Sequence, residues 1–510
     1  MALLLGIDIG TSSVKSVLFD PENHQLLAVA GQEYPLHRPQ PGYAEQNPED
    51  WWQATIATIQ QVMRETGRND IVGIGYSGQM HGTLLLDTKQ QALHPAIIWA
   101  DQRSAPYCEP LLESVGHQDY VATTGTRPAA GFLGPTLLWL QEHQPHLLEK
   151  AAAFLLPKDY IRLRMTGNMA TDVTDAAGTG LLAISQAKPY QWAQHIIEAN
   201  ALPRSIFPPL TDSFEVVGQL IREAADVLGL SAGIPVVAGS ADQPAQAIGN
   251  GIIAAGRASI TVGSGGQVFL PVQAQQGALR TDSRLHVFNH AAGGWYALGA
   301  ILAAGLCLRW LRDLLGMQNS ENAYAIFSTE AAEIPIGSEG LVFLPYLYGE
   351  RTPHMDSCAR GAFIGLAAHH TRGHMARAVM EGVSFAIRQS LEICEAVGQK
   401  ADTLIVSGGG MESVVWRQMM TNIIARPLRK SLAHEQAGIG AAMLAGVGLK
   451  RYAPGKDIAA NFAVAQQQAA QYDAPIEPDA AQVAFYQVRY EQFIELYSRL
   501  HDDFHRLSDC

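Results

Sequence analysis

Between Gly233 and Gly251 the chain reads GIPVVAGSADQPAQAIGNG. Ile234 to Ala238 is a short apolar run rich in β-branched residues, the pattern of a strand buried on both faces, and Gly239 ends it. After Ser240 and Ala241 comes one carboxylate, Asp242, and Pro244 then opens a run of small and apolar residues that reads as a helix with proline at its first position. An acid at the carboxyl end of a buried strand stands where open α/β sheets place their ligands. The same residue would also serve as a helix cap, and this stretch leaves both roles open.

The first residues narrow the choice of fold. Leu3 to Ile9 reads as a buried strand, Gly10, Thr11, Ser12 and Ser13 as a tight turn, and Val14 to Phe19 as a returning strand. Such a hairpin offers N–H groups and hydroxyls that can hold phosphate oxygens, although a plain turn has the same text. Asp8, inside the apolar first strand, is costly to bury without a cation or hydrogen-bond partners, and magnesium is the natural candidate. The same organisation returns at Ala258 to Val262, Gly263 to Gly266 and Val268 to Leu270. Two such hairpins suggest a duplicated domain with a nucleotide between the halves.

Asn47 to Gly67 carries the start and stop signals of a helix: Asn47 caps, Pro48 takes the first position, Glu49 and Asp50 favour the positive end and Gly67 stops it. Ile71 to Tyr76 is a strand leading into GYSGQMHG. The text VGIGYSG contains GxGxxG, but the chain continues into the strand-like Thr83 to Leu86 where a dinucleotide fingerprint needs a helix. Gln79, Met80 and His81 are left at a strand end, where they can face a cleft or simply form a bonded loop. In IIWADQR, Trp99, Asp101 and Arg103 either face a polyhydroxylated ligand or pair with each other. Lys158 and Asp159 precede a short helix and show no chemistry they must perform.

Gly218 to Gly229 reads as an amphipathic helix, Ala303 to Leu315 as a helix entered by Gly305, and Ala376 to Val397 as a long helix with apolar residues at helical spacing. His370 and His374 lie four apart ahead of that long helix, without a third ligand, and read as solvent-facing. Thr403 to Val406 is a strand followed by Ser407, Gly408, Gly409 and Gly410, where a flat group can lie against backbone. Glu435 to Leu444 is a small-residue helix suited to close packing, and Gln482 to Leu507 a charged amphipathic helix at the surface.

The 510 residues are too many for one core and predict two domains. A net charge of -13 argues against a nucleic-acid backbone as partner. Cys108, Cys307, Cys358, Cys394 and Cys510 are scattered without CxxC spacing, which fits a reducing cytoplasm better than a disulfide framework. MALLLGIDIG lacks the basic region of a secretory signal, and the longest apolar stretch, Ala297 to Leu308, is too short to span a membrane. A cytoplasmic protein without membrane or nucleic-acid partners is expected; a homodimer is allowed.

No Walker A sequence occurs. The ordered set DIGTSSVKS, GYSGQMHG, WADQR, KDYIRLRMTG, GSADQ, TVGSGG, AAGLCLRWLRD, GAFIGLAAHHTRGHMARAVMEG and VSGGG resembles the FGGY carbohydrate kinases, over roughly residues 3–450. The resemblance implies an α/β fold of two actin-like ATPase (ribonuclease H-like) domains, each a five-stranded mixed sheet flanked by helices, with an interdomain cleft where sugar and ATP meet. It implies a sugar-binding and catalytic domain over 1–248, a nucleotide-binding domain over 249–450 and a helical extension over 451–510. Asp242 would be the general base, and Asp8 would hold Mg2+. Thr11, Ser12 and Ser264 would face phosphates, and Gly305, Arg309, Gly409 and Gly410 would border the adenosine. Met80, His81 and Gln243 would line the sugar site, with Trp99 and Asp101 as further candidates. The implied reaction is ATP-dependent phosphorylation of a ketopentose, D-xylulose first, at its 5-hydroxyl. Ser240 and Ala241 stand where the family usually has glycines, and Gln243 where asparagine is frequent, so another pentulose or polyol stays open. An actin-like ATPase would lack a reason for GQMHG, and a non-catalytic sugar-binding regulator a reason for both Asp8 and Asp242.

Overall fold

The computed structural model describes residues 2–184, 188–274 and 279–507. Two compact units emerge, and no single cut in the sequence separates them. The first comprises Met1–Ile253, Val287–Tyr296 and Ala433–Gln471, the second Ala254–His286, Ala297–Leu432 and Tyr472–Cys510.

In the first unit, β1 (Leu3–Ile9), β2 (Ser13–Asp20) and β3 (Gln25–Glu33) form an antiparallel meander. β4 (Ile71–Gly78) lies parallel to β1, and the edge strand β5 (Val216–Gln219) runs antiparallel to β6 (Pro235–Val237). β6 is parallel to β4, as is the two-residue β7 (Ser240–Ala241) beyond it. The order is β5-β6-β4-β1-β2-β3, with β7 also on β4, so the sheet has seven strands instead of five. Gly239, at φ 82°, separates β6 from β7. A residue with a Cβ is strained there, and the break turns the chain from the sheet towards Asp242.

The helix Pro48–Thr66 has the predicted punctuation: the Asn47 side chain accepts from the Glu49 N–H, and Gly67 ends it in the left-handed region at φ 63°. Trp51, Ile59 and Val62 on its inner face join the core under β1 and β4. The expected helix at 218–229 is shorter, covering Arg222–Leu228. Its first residues are taken by β5, where Gly218, a poor helix former, pairs with Val236.

Gln436–Gly448, the small-residue helix, packs against β1, β4 and the helix Asp242–Gly249. Contact is backbone to backbone. A Cβ on Gly6 or Gly75 would sit 2.0 Å from the carbonyl of Gly438 or Ala441, and one on Gly440 would sit 1.8 Å from the carbonyl of Ala245. Leu4, Val17, Ile248, Ile439, Met443 and Val447 close this layer as one apolar cluster.

The second unit repeats the plan. β8 (Arg257–Val262) and β9 (Gly266–Val272) form the second hairpin, with β10 (Trp295–Ile301) beside β9. β11 (Thr403–Ser407) is parallel to β8, and β12 (Leu428–Lys430) parallel to β11. The run β10-β9-β8-β11-β12 therefore matches β3-β2-β1-β4-β6 of the first unit. Arg372–Val397 and Val414–Ile424 cover this sheet's helical layer, and Ala480–Leu507 seals it with Tyr486, Tyr490, Phe493 and Phe504.

The long helix begins four residues before the predicted Ala376, which overturns the reading of His374 as solvent-facing. His374 is the third residue of the helix, reciprocally bonded with Thr371 in a capping box, and is buried with Nε2 3.1 Å from Glu339. Pro244 is likewise the third residue of its helix and not the first, because Asp242 already has helical geometry. Cys108, Cys307, Cys358 and Cys394 are free thiols; Cys510 lies outside the described residues.

Gly440→Ala should lower stability by about 1–3 kcal/mol, the range for overpacking a closed contact, read as a lower urea midpoint at unchanged slope. An unchanged midpoint would contradict the backbone contact with Ala245.

Candidate active site

The parallel register of the first sheet brings its two key acids to one edge. Asp8 on β1 lies opposite Ser77 of β4, and Ser240 of β7 lies opposite the same Ser77 from the other side. Asp242 follows two residues later as the first residue of its helix. The Asp8 Oδ1 atom is buried and accepts no hydrogen bond among the described residues, and Ser77 Oγ beside it also makes none of good geometry. Burial pushes the Asp8 pKa up, Ser77 and the charge of Lys15 work against that, and Glu435, the Lys15 partner at 2.8 Å, adds to it. Asp242 is pushed up to about 7, first by burial and then by the negative charge of Asp8, with the Gln243 N–H and side chain offsetting part of the shift.

A short helix, Val173–Gly178, ties this acid to the GQMHG stretch. Thr174 Oγ1 accepts from the Ala241 N–H at 2.9 Å and donates to Asp172 Oδ2 at 2.6 Å, which fixes the residue immediately before Asp242. At the other end the Gly178 carbonyl accepts from His81 Nδ1. That bond makes Nδ1 the protonated nitrogen and Nε2 the acceptor of the neutral ring. His81 holds a left-handed φ of 72°, and its ring stacks on Phe132 with centroids 3.9 Å apart. The bare Cα of Gly178 makes room here: a Cβ would lie 2.9 Å from Met80 Cε and 3.2 Å from His81 Nδ1. Met80, His81, Asp242 and its neighbour Gln243 are thus linked through one helix.

Trp99 lies against the first hairpin and Asp101 in a buried ion pair. Trp99 is 42% exposed and donates from Nε1 to Thr11 Oγ1 at 2.9 Å, so it belongs to the first hairpin. Asp101 is fully buried, accepting from the Ala44 N–H at 2.6 Å and from Arg103 through both oxygens, while Arg103 also reaches Glu45. Asp101 and Arg103 thus pair with each other, one of the two sequence readings, whereas Trp99 bonds to the hairpin through Thr11. In the hairpin itself the Thr11 carbonyl accepts from Gln46 Nε2 at 2.6 Å, and Ser12 is exposed at the tip.

Beneath the Thr174 helix lies a buried ion cluster that sequence reasoning missed. Lys158 Nζ lies 2.7 Å from Asp159, 2.9 Å from Asp172 and 3.1 Å from Asp175, and Arg162 lies 3.2 Å from Asp159, all five side chains having no exposure. Burial alone would discharge Lys158, but the three carboxylates hold its pKa above the ordinary lysine value. Burial and the charges of Asp172 and Asp159 drive the Asp175 pKa well up, against the pull of Lys158. The density of charge in 158–175 was the available signal; its burial was not.

The second unit contains a cavity of about 340 Å³ lined by Ser264, Gly305, Arg309, Gly409 and Gly410, the five residues predicted there. Leu308, Tyr324, Met380 and Trp416 supply apolar walls that the motifs did not reveal. The Ser264 carbonyl accepts from the N–H groups of Ala304 and Leu306, which docks the hairpin on the N-terminus of the helix Gly305–Leu314 and turns that helix's positive end to the cavity. Gly410 is closed in by Val262 and Trp416, whereas a Cβ on Gly409 would meet nothing within 4 Å. Gly409 therefore opens onto space that its own fold does not fill.

Residues 3–249 match the N-terminal domain, and residues 258–449 the C-terminal domain, of the FGGY family of carbohydrate kinases. The chain belongs to this family. It is 37% identical to a xylulose kinase of Bacillus subtilis over 98% of both chains, and 36% identical to a xylulose kinase of Escherichia coli over 98% of this chain and 99% of that one. The solved xylulose kinase of Rhodospirillum rubrum superposes with a TM-score of 0.88 at 30% identity, over 99% of this chain and 100% of that one. No helix among the described residues is long and apolar enough to cross a membrane.

The raised pKa of Asp242 makes its charge a cost to the fold. Between the ordinary value of 3.8 and about 7 the unfolded chain is ionised while the folded protein keeps the proton, so stability is lost as pH rises through that window. The stability gained by Asp242→Asn should therefore grow by roughly 2.7 kcal/mol between pH 5 and pH 8, about 1.36 kcal/mol for each of the two units between pH 5 and about 7. Paired urea titrations at the two pH values check this, and a difference independent of pH would refute the shift.

Proposed function

We propose that the chain transfers the γ-phosphoryl group of ATP to the 5-hydroxyl of D-xylulose, with Asp242 as general base. The names of its relatives support this substrate, and one observation carries the chemistry: Asp242 opens its helix two residues beyond Ser240, at the sheet end where Asp8 and Ser240 flank Ser77, with its pKa pushed up to about 7 by burial and by the charge of Asp8. The sugar hydroxyl oxygen bonds to the γ-phosphorus, the bond from that phosphorus to the ADP oxygen breaks, and the hydroxyl proton passes to the Asp242 carboxylate. Phosphoryl transfer is loose, so orientation of the hydroxyl counts for more than base strength. His81 Nε2 and the Gln243 amide are the proposed orienting groups, with Met80 packing the sugar.

The unpartnered, buried Oδ1 of Asp8 fits a divalent cation, and Mg2+ is the ion we assign to it. When bound, Mg2+ neutralises phosphate charge. Ser264, Gly305, Arg309, Gly409 and Gly410 are assigned to the nucleotide, Thr11 and Ser12 to phosphate oxygens. Functionally, residues 1–248 are assigned to sugar and catalysis, 249–450 to the nucleotide and 451–510 to a helical extension. Gln243 at the sugar side favours a second reading, a kinase for another pentulose or a polyol.

ADP release against pentuloses, hexuloses, glycerol and gluconate tests the proposal. D-xylulose should give the highest kcat/KM, and Asp242→Ala should lower kcat by about 10²–10⁴, the span of general-base catalysis, while sugar binding persists. ADP release without sugar would indicate an ATPase, and sugar binding without ADP a regulator. Gly409→Val should raise KM for ATP at least about tenfold with KM for the sugar unchanged, because three extra carbons fill the cavity that the nucleotide occupies. An unaltered KM for ATP would remove Gly409 from the site.

A further inference from the structure

Outside the residues assigned to sugar and nucleotide, the second unit gathers three metal-ligand side chains whose chemistry phosphoryl transfer does not need. Asp356 lies in the loop after Glu350, and His501 and His505 lie one turn apart on the helix Ala480–Leu507. Their donor atoms all fall within 4.8 Å of one another. His505 Nε2 is already 3.2 Å from Asp356 Oδ1, the edge length of a tetrahedron around a zinc ion with bonds of about 2.0 Å. The two imidazole rings face each other with centroids 4.4 Å apart, the spacing that i, i+4 histidines give on one helix face.

We propose that Asp356, His501 and His505 form a site for one zinc-type transition-metal ion, which fastens the C-terminal helix to the Glu350–Asp356 loop. Two imidazoles and one carboxylate select zinc over magnesium, which prefers an all-oxygen octahedron. Three protein ligands leave one position of a tetrahedral ion to water.

The surroundings are built to hold the carboxylate in place. Tyr497 donates its hydroxyl to Asp356 Oδ2 at 2.6 Å, and the Cys358 N–H donates to Oδ1 at 2.8 Å. These are the outer partners that orient a ligating carboxylate. Asp356 is only 9% exposed, whereas both histidines reach solvent, which gives an ion its entry path. Tyr497 is itself clamped by the His354 ring, stacked at 3.4 Å. Asp356 and Glu350 exchange both backbone hydrogen bonds at 2.8 Å, and Glu350 Oε1 accepts from the Leu302 N–H at 2.9 Å. The loop so fastened therefore braces the strand end that precedes the helix Gly305–Leu314.

The test is titration of chelator-treated full-length protein with zinc sulfate, without nucleotide, by calorimetry and by thermal unfolding. The wild type should bind one equivalent and unfold at a higher temperature when loaded. His501→Ala and His505→Ala each replace a solvent-reaching side chain, and each should weaken zinc binding at least tenfold and abolish the thermal shift. Tyr497→Phe should weaken binding by about tenfold through the outer partner alone. His117→Ala serves as the control, since Glu109, Glu113 and His117 form the other cluster of suitable ligands among the described residues. Zinc binding that survives in the His501→Ala, His505→Ala double variant, or is lost in His117→Ala instead, overturns the proposal, as does a wild type that binds no zinc.

Discussion

Two carboxylates held at one end of a sheet repel each other, and the first unit is organised around keeping them there. Asp8 and the segment leading to Asp242 flank the same residue, Ser77, because β1, β4 and β7 run parallel in one register. A shift of one residue in the β1–β4 pairing would turn Asp8 to the opposite face, and the same shift in the β7–β4 pairing would move Ser240 away from Ser77. The cost of that arrangement appears in the pKa of Asp242, raised by burial and then by the charge of Asp8, whereas Asp8 is raised by its own burial and by Glu435. What meets it is close packing: bare glycine backbones let the helix Gln436–Gly448 lie on β1 and β4 and on the Asp242 helix together. The ion cluster around Lys158 and the Thr174 hydroxyl then fix the remaining side.

The repeated sheet plan sets different side chains at the equivalent position of the two units. Asp8 stands one residue before the end of β1, opposite Ser77; Thr261 stands at the same place in β8, opposite Ser407, with the two hydroxyls 3.1 Å apart. Where the first unit places a carboxylate with one buried oxygen, Oδ1, left without a hydrogen bond among the described residues, the second places a neutral, bonded pair. The first is suited to a cation or a proton in transit, the second to the approach of an uncharged ring or a phosphate held by backbone N–H groups. The cavity beside Gly409 and the Gly305 helix agrees with that division.

Much of this could be read from local text because local text decides it. The two hairpins, the capped helix after Asn47 and the strand before Gly239 each depend on a few neighbouring residues. Gly218 could not be placed from sequence, since its pairing with Val236 is a tertiary competition that helix periodicity does not report. His374 was misplaced because its cap, Thr371, lies upstream of the apolar repeat. Lys158 and Asp159 show no required chemistry in their local text, and only the structure shows that with Asp172 and Asp175 they form one buried cluster. The return of residues 433–471 to the first unit has no local signature at all. Asp101 shows the opposite limit: its text allows a sugar ligand or a partner in Arg103, and only the geometry shows the second.

The central claim is that Asp8 and Asp242 share one electrostatic environment, with the first raising the pKa of the second. Carbon-13 NMR titration of the Asp242 carboxyl, in wild type and in Asp8→Asn, measures this without any substrate. The account predicts a midpoint near 7 in the wild type and a lower one in Asp8→Asn. A wild-type midpoint near 4, or one that Asp8→Asn leaves unmoved, would contradict it.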